Sequence, residues 1–97
     1  MRVRLLVSGL VQGVNFRWFV QETAKSMGIN GWVKNLPDGT VEIECESKSE
    51  MEYRKFISAI ESGAEGKGLN AISVKNIQVL KIEKDAEPMH DYFNIEY

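Results

Sequence analysis

Ile29-Asn30-Gly31-Trp32-Val33-Lys34-Asn35-Leu36-Pro37-Asp38-Gly39-Thr40-Val41-Glu42-Ile43-Glu44-Cys45-Glu46 is the stretch on which the fold turns. At its middle, Leu36-Pro37-Asp38-Gly39 supplies a proline to start a turn and a glycine to finish it. The residues before it, Ile29 to Asn35 with Trp32 and Val33, read as a strand. Beyond it, Val41, Ile43 and Cys45 alternate with Glu42, Glu44 and Glu46, the period-two pattern of a strand with one apolar face. A hairpin is predicted. Its three glutamates share the outer face and are expected to form a solvated surface that also discourages edge aggregation.

Outward from the hairpin the period changes on both sides. Upstream, Phe16, Phe19, Val20, Thr23, Ala24 and Met27 recur at helical spacing, with Asn15 placed as N-cap and Gly28 as the stop. Downstream, Ser49 and Glu52 have capping-box spacing, and Tyr53, Phe56, Ile57 and Ile60 continue as a helical stripe ending before Gly63. Farther out the strand pattern returns. Val3, Leu5 and Val7 alternate with Arg2, Arg4 and Ser8 until Gly9 to Gly13 breaks the strand, so this start reads as a strand and not as a leader peptide. After a polar, glycine-rich connection from Gly63 to Ala71, Ile72 to Glu83 reads as strand, with a change of parity between Val79 and Leu80 that predicts a bulge. Pro88 marks a turn, and Phe93, Ile95 and Tyr97 form a short last strand.

The order is βαββαβ with a short C-terminal strand, and parallel neighbours must be joined by crossovers through the helices. The fold class expected is α+β: a ferredoxin-like split βαβ sandwich with two helices on one face of a mixed, mainly antiparallel sheet. With 97 residues, 43% of them hydrophobic, the chain suffices for one core, and a single domain spanning 1–97 is expected. This architecture serves many functions, so the site must decide.

Composition narrows the classes. A net charge of -2 gives no global field to hold nucleic acid, and the stacking aromatics and basic face of an RNA-binding domain of this topology are missing. No apolar run is long enough to span a bilayer. Cys45 is the sole cysteine and reads as a packed core thiol, His90 as a surface histidine with no companion for a metal. A cytoplasmic monomer without metal or cofactor is expected. Trp18 and Trp32 are candidates to rim a site, although packing is the commoner use of such residues, and Lys34 reads as solvated.

One segment bears chemistry. Gly9-Leu10-Val11-Gln12-Gly13-Val14-Asn15-Phe16-Arg17 puts a glycine-bearing loop between a strand end and a helix start, where free N–H groups and the helix dipole favour an anion. Arg17 falls in the helix's first turn, and helical side chains lean toward the N-terminus, so its guanidinium can turn back over the loop. Spacing alone is a weak signal, because strand-glycine-helix junctions are common and an arginine in a first turn is usually a solvated surface residue.

The residue types add more. This segment matches Gly-x-Val-Gln-Gly-Val-x-Phe-Arg and, together with Gly31-Trp32-Val33-Lys34-Asn35, Gly39 and Val41, resembles the two signature segments of the acylphosphatase family. The resemblance implies that the amides of Gln12, Gly13, Val14, Asn15 and Phe16, with the Arg17 side chain, bind the phosphate of an acyl phosphate. It also implies that Asn35 orients the attacking water, and that a carboxylate and inorganic phosphate are the products. The chemistry is compatible with this, because an acyl phosphate has a good leaving group and needs positioning and charge neutralisation more than a strong base. Little selection on the acyl group is expected, since no large apolar pocket is evident.

Three positions depart from the family pattern: Asn15 where microbial relatives often have glycine, Ser47 in place of a glycine, and a 63–71 connection without Gly-Pro. A phosphate-binding module with weak turnover is the alternative function. A carbamoyl-phosphate-handling domain of a hydrogenase-maturation protein shares the loop motif but is followed there by further domains, unlike the arrangement expected here.

Overall fold

In a computed structural model that describes residues 1–62 and 72–97, the elements follow the predicted order. They are β1 (Arg2–Leu10), α1 (Phe16–Ser26), β2 (Asn30–Asn35), β3 (Val41–Glu46), α2 (Glu50–Ser62), β4 (Ser73–Glu83) and β5 (Phe93–Glu96). The expectations for the 63–71 connection lie outside the described residues. The strands form one sheet ordered β4-β1-β3-β2-β5, antiparallel throughout except for the parallel pair β2 and β5. β3 therefore lies between β1 and β2, which is the split βαβ arrangement.

Register aligns the apolar face. Val3 sits opposite Cys45, Leu5 opposite Ile43 and Val7 opposite Val41, and all six are buried. Phe16, Phe19, Val20 and Ala24 of α1, with Phe56 and Ile60 of α2, close over them in a single cluster. Each buried Val, Leu, Ile or Phe among them contributes about 1.5–3 kcal/mol, most of it offset by the entropy of ordering the chain.

The strand expected to break at Gly9 instead runs to Leu10. β4 follows it outward, pairing Gly9 with Val74 and Leu10 with Ser73 after a register shift at Ser8/Gly9. The predicted parity change is a second shift, because Leu5 pairs with Val79 and Arg4 with Lys81, leaving Leu80 as the extra residue. Gly31 lies at the other end of β2 from Asn35, where the backbone of β3 comes close. At φ 144 its missing Cβ would overlap the backbone carbonyl of Glu44 on β3.

Helix ends follow their signals with adjustments. α1 stops where Ile29 N–H donates to the Ala24 carbonyl (2.9 Å) and Gly28 N–H to that of Lys25 (3.3 Å). At α2, Ser49 Oγ accepts from Glu52 N–H, and Glu52 Oε1 accepts from Lys48 N–H, each at 3.1 Å, so the glutamate reaches one residue farther back than an ordinary capping box. Ser47 N–H donates to the Met1 carbonyl at 2.9 Å, so Ser47 closes the β1–β3 ladder and needs no glycine.

The outer sheet face corrects two expectations. Glu44 is only 5% exposed, and its carboxylate accepts from Arg4 Nη2 (2.7 Å) and meets His90 Nε2 (2.5 Å). Glu46 accepts from Arg2 Nη1 (3.0 Å) and from the backbone N–H of Met89 and His90 (2.9 Å each). The glutamates are thus partners of two arginines and of the segment that leads into β5, and His90 is a structural contact. The sequence could not show this, because it depends on residues some forty positions apart meeting across the sheet.

Burial pushes the Glu44 carboxyl up, but the hydrogen bonds from Arg4 and His90 and their charges outweigh it, leaving the group below its usual value of 4.5. Glu46 is lowered likewise, burial being outweighed by the backbone bonds from His90 and Met89 and by Arg2. A carboxyl that is more acidic folded than unfolded stabilises above the unfolded value and loses that contribution as pH falls through the folded one. The gap in urea midpoint between wild type and Glu44→Gln is therefore expected to be widest near neutrality and to close as pH drops below 4.5. A gap that stays constant with pH would show that the Glu44 contacts contribute no linked stability.

Candidate active site

The loop between β1 and α1 contains two left-handed residues, Gly13 (φ 72) and Asn15 (φ 65), with Val14 at negative φ between them. Alternation of φ sign turns successive N–H groups toward one concavity, the geometry of an anion-binding nest. Among the described residues, none of the N–H groups from Gln12 to Phe16 has an acceptor. Asn15 occupies the N-cap position, but its side chain makes no capping bond, which corrects the simple N-cap reading. Its carbonyl accepts from Phe19 N–H at 3.0 Å and starts the helix, while its backbone shapes the loop.

Gln12 has a further part that its place in the motif did not reveal. Its Nε2 donates to the carbonyls of Leu36 and Thr40, at 2.7 Å each, and so clamps the loop to the tip of the β2–β3 hairpin. Asn35 is the last residue of the strand entering that tip. Counting back in twos, Asn35 shares a sheet face with buried Val33, at the edge where the core ends. Its Oδ1 is buried without a hydrogen-bond partner among the described residues.

Arg17 leans toward the same space. Its Nη1 donates to the Glu96 carbonyl at 3.0 Å, and its Cζ lies 4.8 Å from the centre of the Tyr97 ring. No carboxylate among the described residues pairs with it, and α1 has no acidic residue in its first turn. A cleft of about 320 Å³ is lined by Gly13, Asn15, Phe16, Arg17 and Asn35 from the expected set. Trp18, Ile95 and Tyr97 join them, along with Val11. The structure thus brings Arg17, Asn35 and the loop together, with Gln12 and Val14 flanking the cleft.

The remaining candidates separate. Trp18 is 52% exposed at the cleft, whereas Trp32 lies on the outer sheet face, its ring 5.4 Å from Arg4 Cζ. Lys34 is exposed and does not line the cleft. Cys45 is buried, and burial pushes its thiol up to about 12, so it is no nucleophile. Among the described residues no helix is long and apolar enough to cross a membrane. The contribution of β5 was missed, since a short final strand gave no sign of which parallel neighbour it would join.

Comparison with known proteins places these features in context. The acylphosphatase family model matches residues 3–95. The chain is 49% identical to an acylphosphatase of Methanospirillum hungatei over 82 residues, covering 84% of this chain and 85% of that protein. Against an acylphosphatase of Geobacillus thermodenitrificans it is 36% identical over 96 residues, covering 99% and 94%. Among solved structures, the crystal structure of acylphosphatase from Bacillus subtilis superposes with a TM-score of 0.80 at 36% identity, covering 99% of this chain and 98% of that one.

Two stability measurements check the loop. Gln12→Ala removes a second donor from the Leu36 and Thr40 carbonyls, which keep the N–H groups of Gly39 and Leu36, and is expected to cost about 0.5–1.5 kcal/mol in urea unfolding; no change would mean the clamp is incidental. Asn15→Gly removes the left-handed strain of a side chain and is expected to raise stability by about 0.5–1 kcal/mol, whereas Asn15→Ala lowers it.

Proposed function

The chain belongs to the acylphosphatase family, and from that premise we propose that it hydrolyses the carboxyl–phosphate bond of acyl phosphates, releasing a carboxylate and inorganic phosphate. The amides from Gln12 to Phe16 and the Arg17 guanidinium hold the phosphate, and Asn35 orients the water. The observation that carries this reading is one cleft lined by Arg17, the loop and Asn35, whose buried Oδ1 has no hydrogen-bond partner among the described residues. A buried acceptor without a partner costs about 1–3 kcal/mol, and turning the Asn35 carboxamide toward a water in the cleft relieves that cost.

The reaction asks little of the protein beyond placement. As the water oxygen bonds to phosphorus, the bond from phosphorus to the acyl oxygen breaks and its electron pair departs with the carboxylate. The water proton passes to a phosphate oxygen of the substrate, so no side chain need serve as base. Charge on the phosphoryl oxygens is met by Arg17, which stays protonated at any relevant pH, and by amides already fixed by the loop. Donors that need no reorganisation during the reaction are the largest source of rate in such sites.

Arg17 and Asn35 should fail differently. With benzoyl phosphate as substrate, Arg17→Ala is expected to raise KM and lower kcat together, reducing kcat/KM by about 10²–10³-fold. Asn35→Ala is expected to lower kcat by about 10²-fold or more while inhibition by inorganic phosphate is retained. The proposal is sunk if purified protein gives no hydrolysis above background, or if both variants match wild type.

A further inference from the structure

The cleft is larger than a phosphate requires. Its volume is about 320 Å³, whereas a phosphate group fills on the order of two or three water volumes of ~30 Å³ each. The loop, Arg17 and Asn35 account for the polar part of the wall. Beyond the buried Val11 and Phe16, what remains is Trp18, Ile95 and Tyr97, brought there by the first turn of α1, by β5 and by the residue that follows it.

Trp18 is placed by helical geometry. Phe16 and Phe19, three residues apart, take the core face of α1 and are buried. Trp18 points elsewhere and stays 52% exposed, a large indole beside a cationic site. Tyr97 is 92% exposed, and its ring lies against the Arg17 guanidinium. Ile95 is half-buried, packs against the core below and shares the wall. Two exposed aromatic rings and a branched aliphatic chain flanking an anion cradle make an apolar wall next to a charged one, as the two halves of a mixed anhydride require.

We infer that Trp18, Ile95 and Tyr97 form an acyl subsite that favours carboxylic–phosphoric anhydrides with an aromatic or bulky apolar acyl group over small ones such as acetyl. The inference rests on the proposed reading of this cleft as the site of acyl phosphate hydrolysis, and it replaces the expectation of little selection on the acyl group. An aryl ring stacked on the indole is held by its π-face as well as by area removed from water. Phosphate affinity, by contrast, depends on Arg17 and the loop.

The test compares benzoyl phosphate with acetyl phosphate in wild type, Trp18→Ala, Trp18→Phe and Tyr97→Ala. The quantity read is the ratio of the two kcat/KM values, in which intrinsic reactivity of the two anhydrides cancels between variants. Trp18→Ala is expected to lower the benzoyl-to-acetyl ratio by about 3- to 10-fold, mainly through KM for benzoyl phosphate, and Trp18→Phe, which keeps a stacking face, to recover most of it. Tyr97→Ala lowers both substrates by removing the ring beside Arg17, and lowers benzoyl phosphate further. If both alanine variants hydrolyse the two substrates in the wild-type ratio, the subsite is overturned while the proposed activity stands. If wild type hydrolyses neither substrate, both fall.

Discussion

A chain that crosses from one strand to another through a helix on the same sheet face returns in the same direction. β1 and β2 are joined in this way by α1, and β5 lies parallel to β2 on its far side. Three strands therefore end at one edge of the sheet, separated only by β3 running the other way. The loop after β1, Asn35 at the end of β2, and Ile95 and Tyr97 at the end of β5 meet there with the first turn of α1. No residue had to be brought to the cleft by a long excursion. The Gln12 side chain then removes the remaining freedom by tying the loop to the hairpin tip, so the amides and Asn35 are held to one frame.

The two helices show how similar secondary structure is put to opposite uses. α2 begins with Ser49 and Glu52 satisfying its first donors, and Glu50 and Glu52 set negative charge against the positive end of its dipole. α1 has none of these devices: its N-cap side chain makes no bond and its first turn contains no acid. Left to itself that would weaken the helix by the usual cost of a missing cap, ~1 kcal/mol. The helix persists because Phe16, Phe19, Val20 and Ala24 are buried in the core. Packing stabilises α1, and its N-terminus stays open to an anion.

Much of this was legible in the sequence, for reasons that can be named. Periods of two and near four fix element type, and they did so for Val41–Glu46 and for the Phe16 stripe. Parity between Val79 and Leu80 located a bulge before any partner strand was known, because an extra residue flips every later side chain. Asn35, two residues beyond Val33, had to face the helix layer if the strand was regular. What could not be read were long-range partners. Glu42, Glu44 and Glu46 look identical along the chain, yet Glu44 and Glu46 are nearly covered because Arg2, Arg4 and the residues around His90 converge on them from elsewhere. β1 looked finished at Gly9 because glycine breaks strands locally, and only β4 explains why it continued.

The distribution of arginines completes the physical account. Arg2 and Arg4 lie on the outer sheet face, each within ion-pair distance of two glutamates, so their charge is spent inside the fold. Arg17 is treated differently: it is held by a backbone carbonyl and an aromatic ring, partners that orient a guanidinium without neutralising it. Among the described residues, one N–H of its five-donor fork is engaged, with the Glu96 carbonyl, and the others remain for an anion. In a chain with net charge -2, what leaves Arg17 available is local: no carboxylate among the described residues lies within ion-pair distance of it. The side of the sheet that looks merely structural thus draws two of the chain's arginines into contact with Glu42, Glu44, Glu46 and Glu83, and leaves to Arg17 the part of meeting an anion in the cleft.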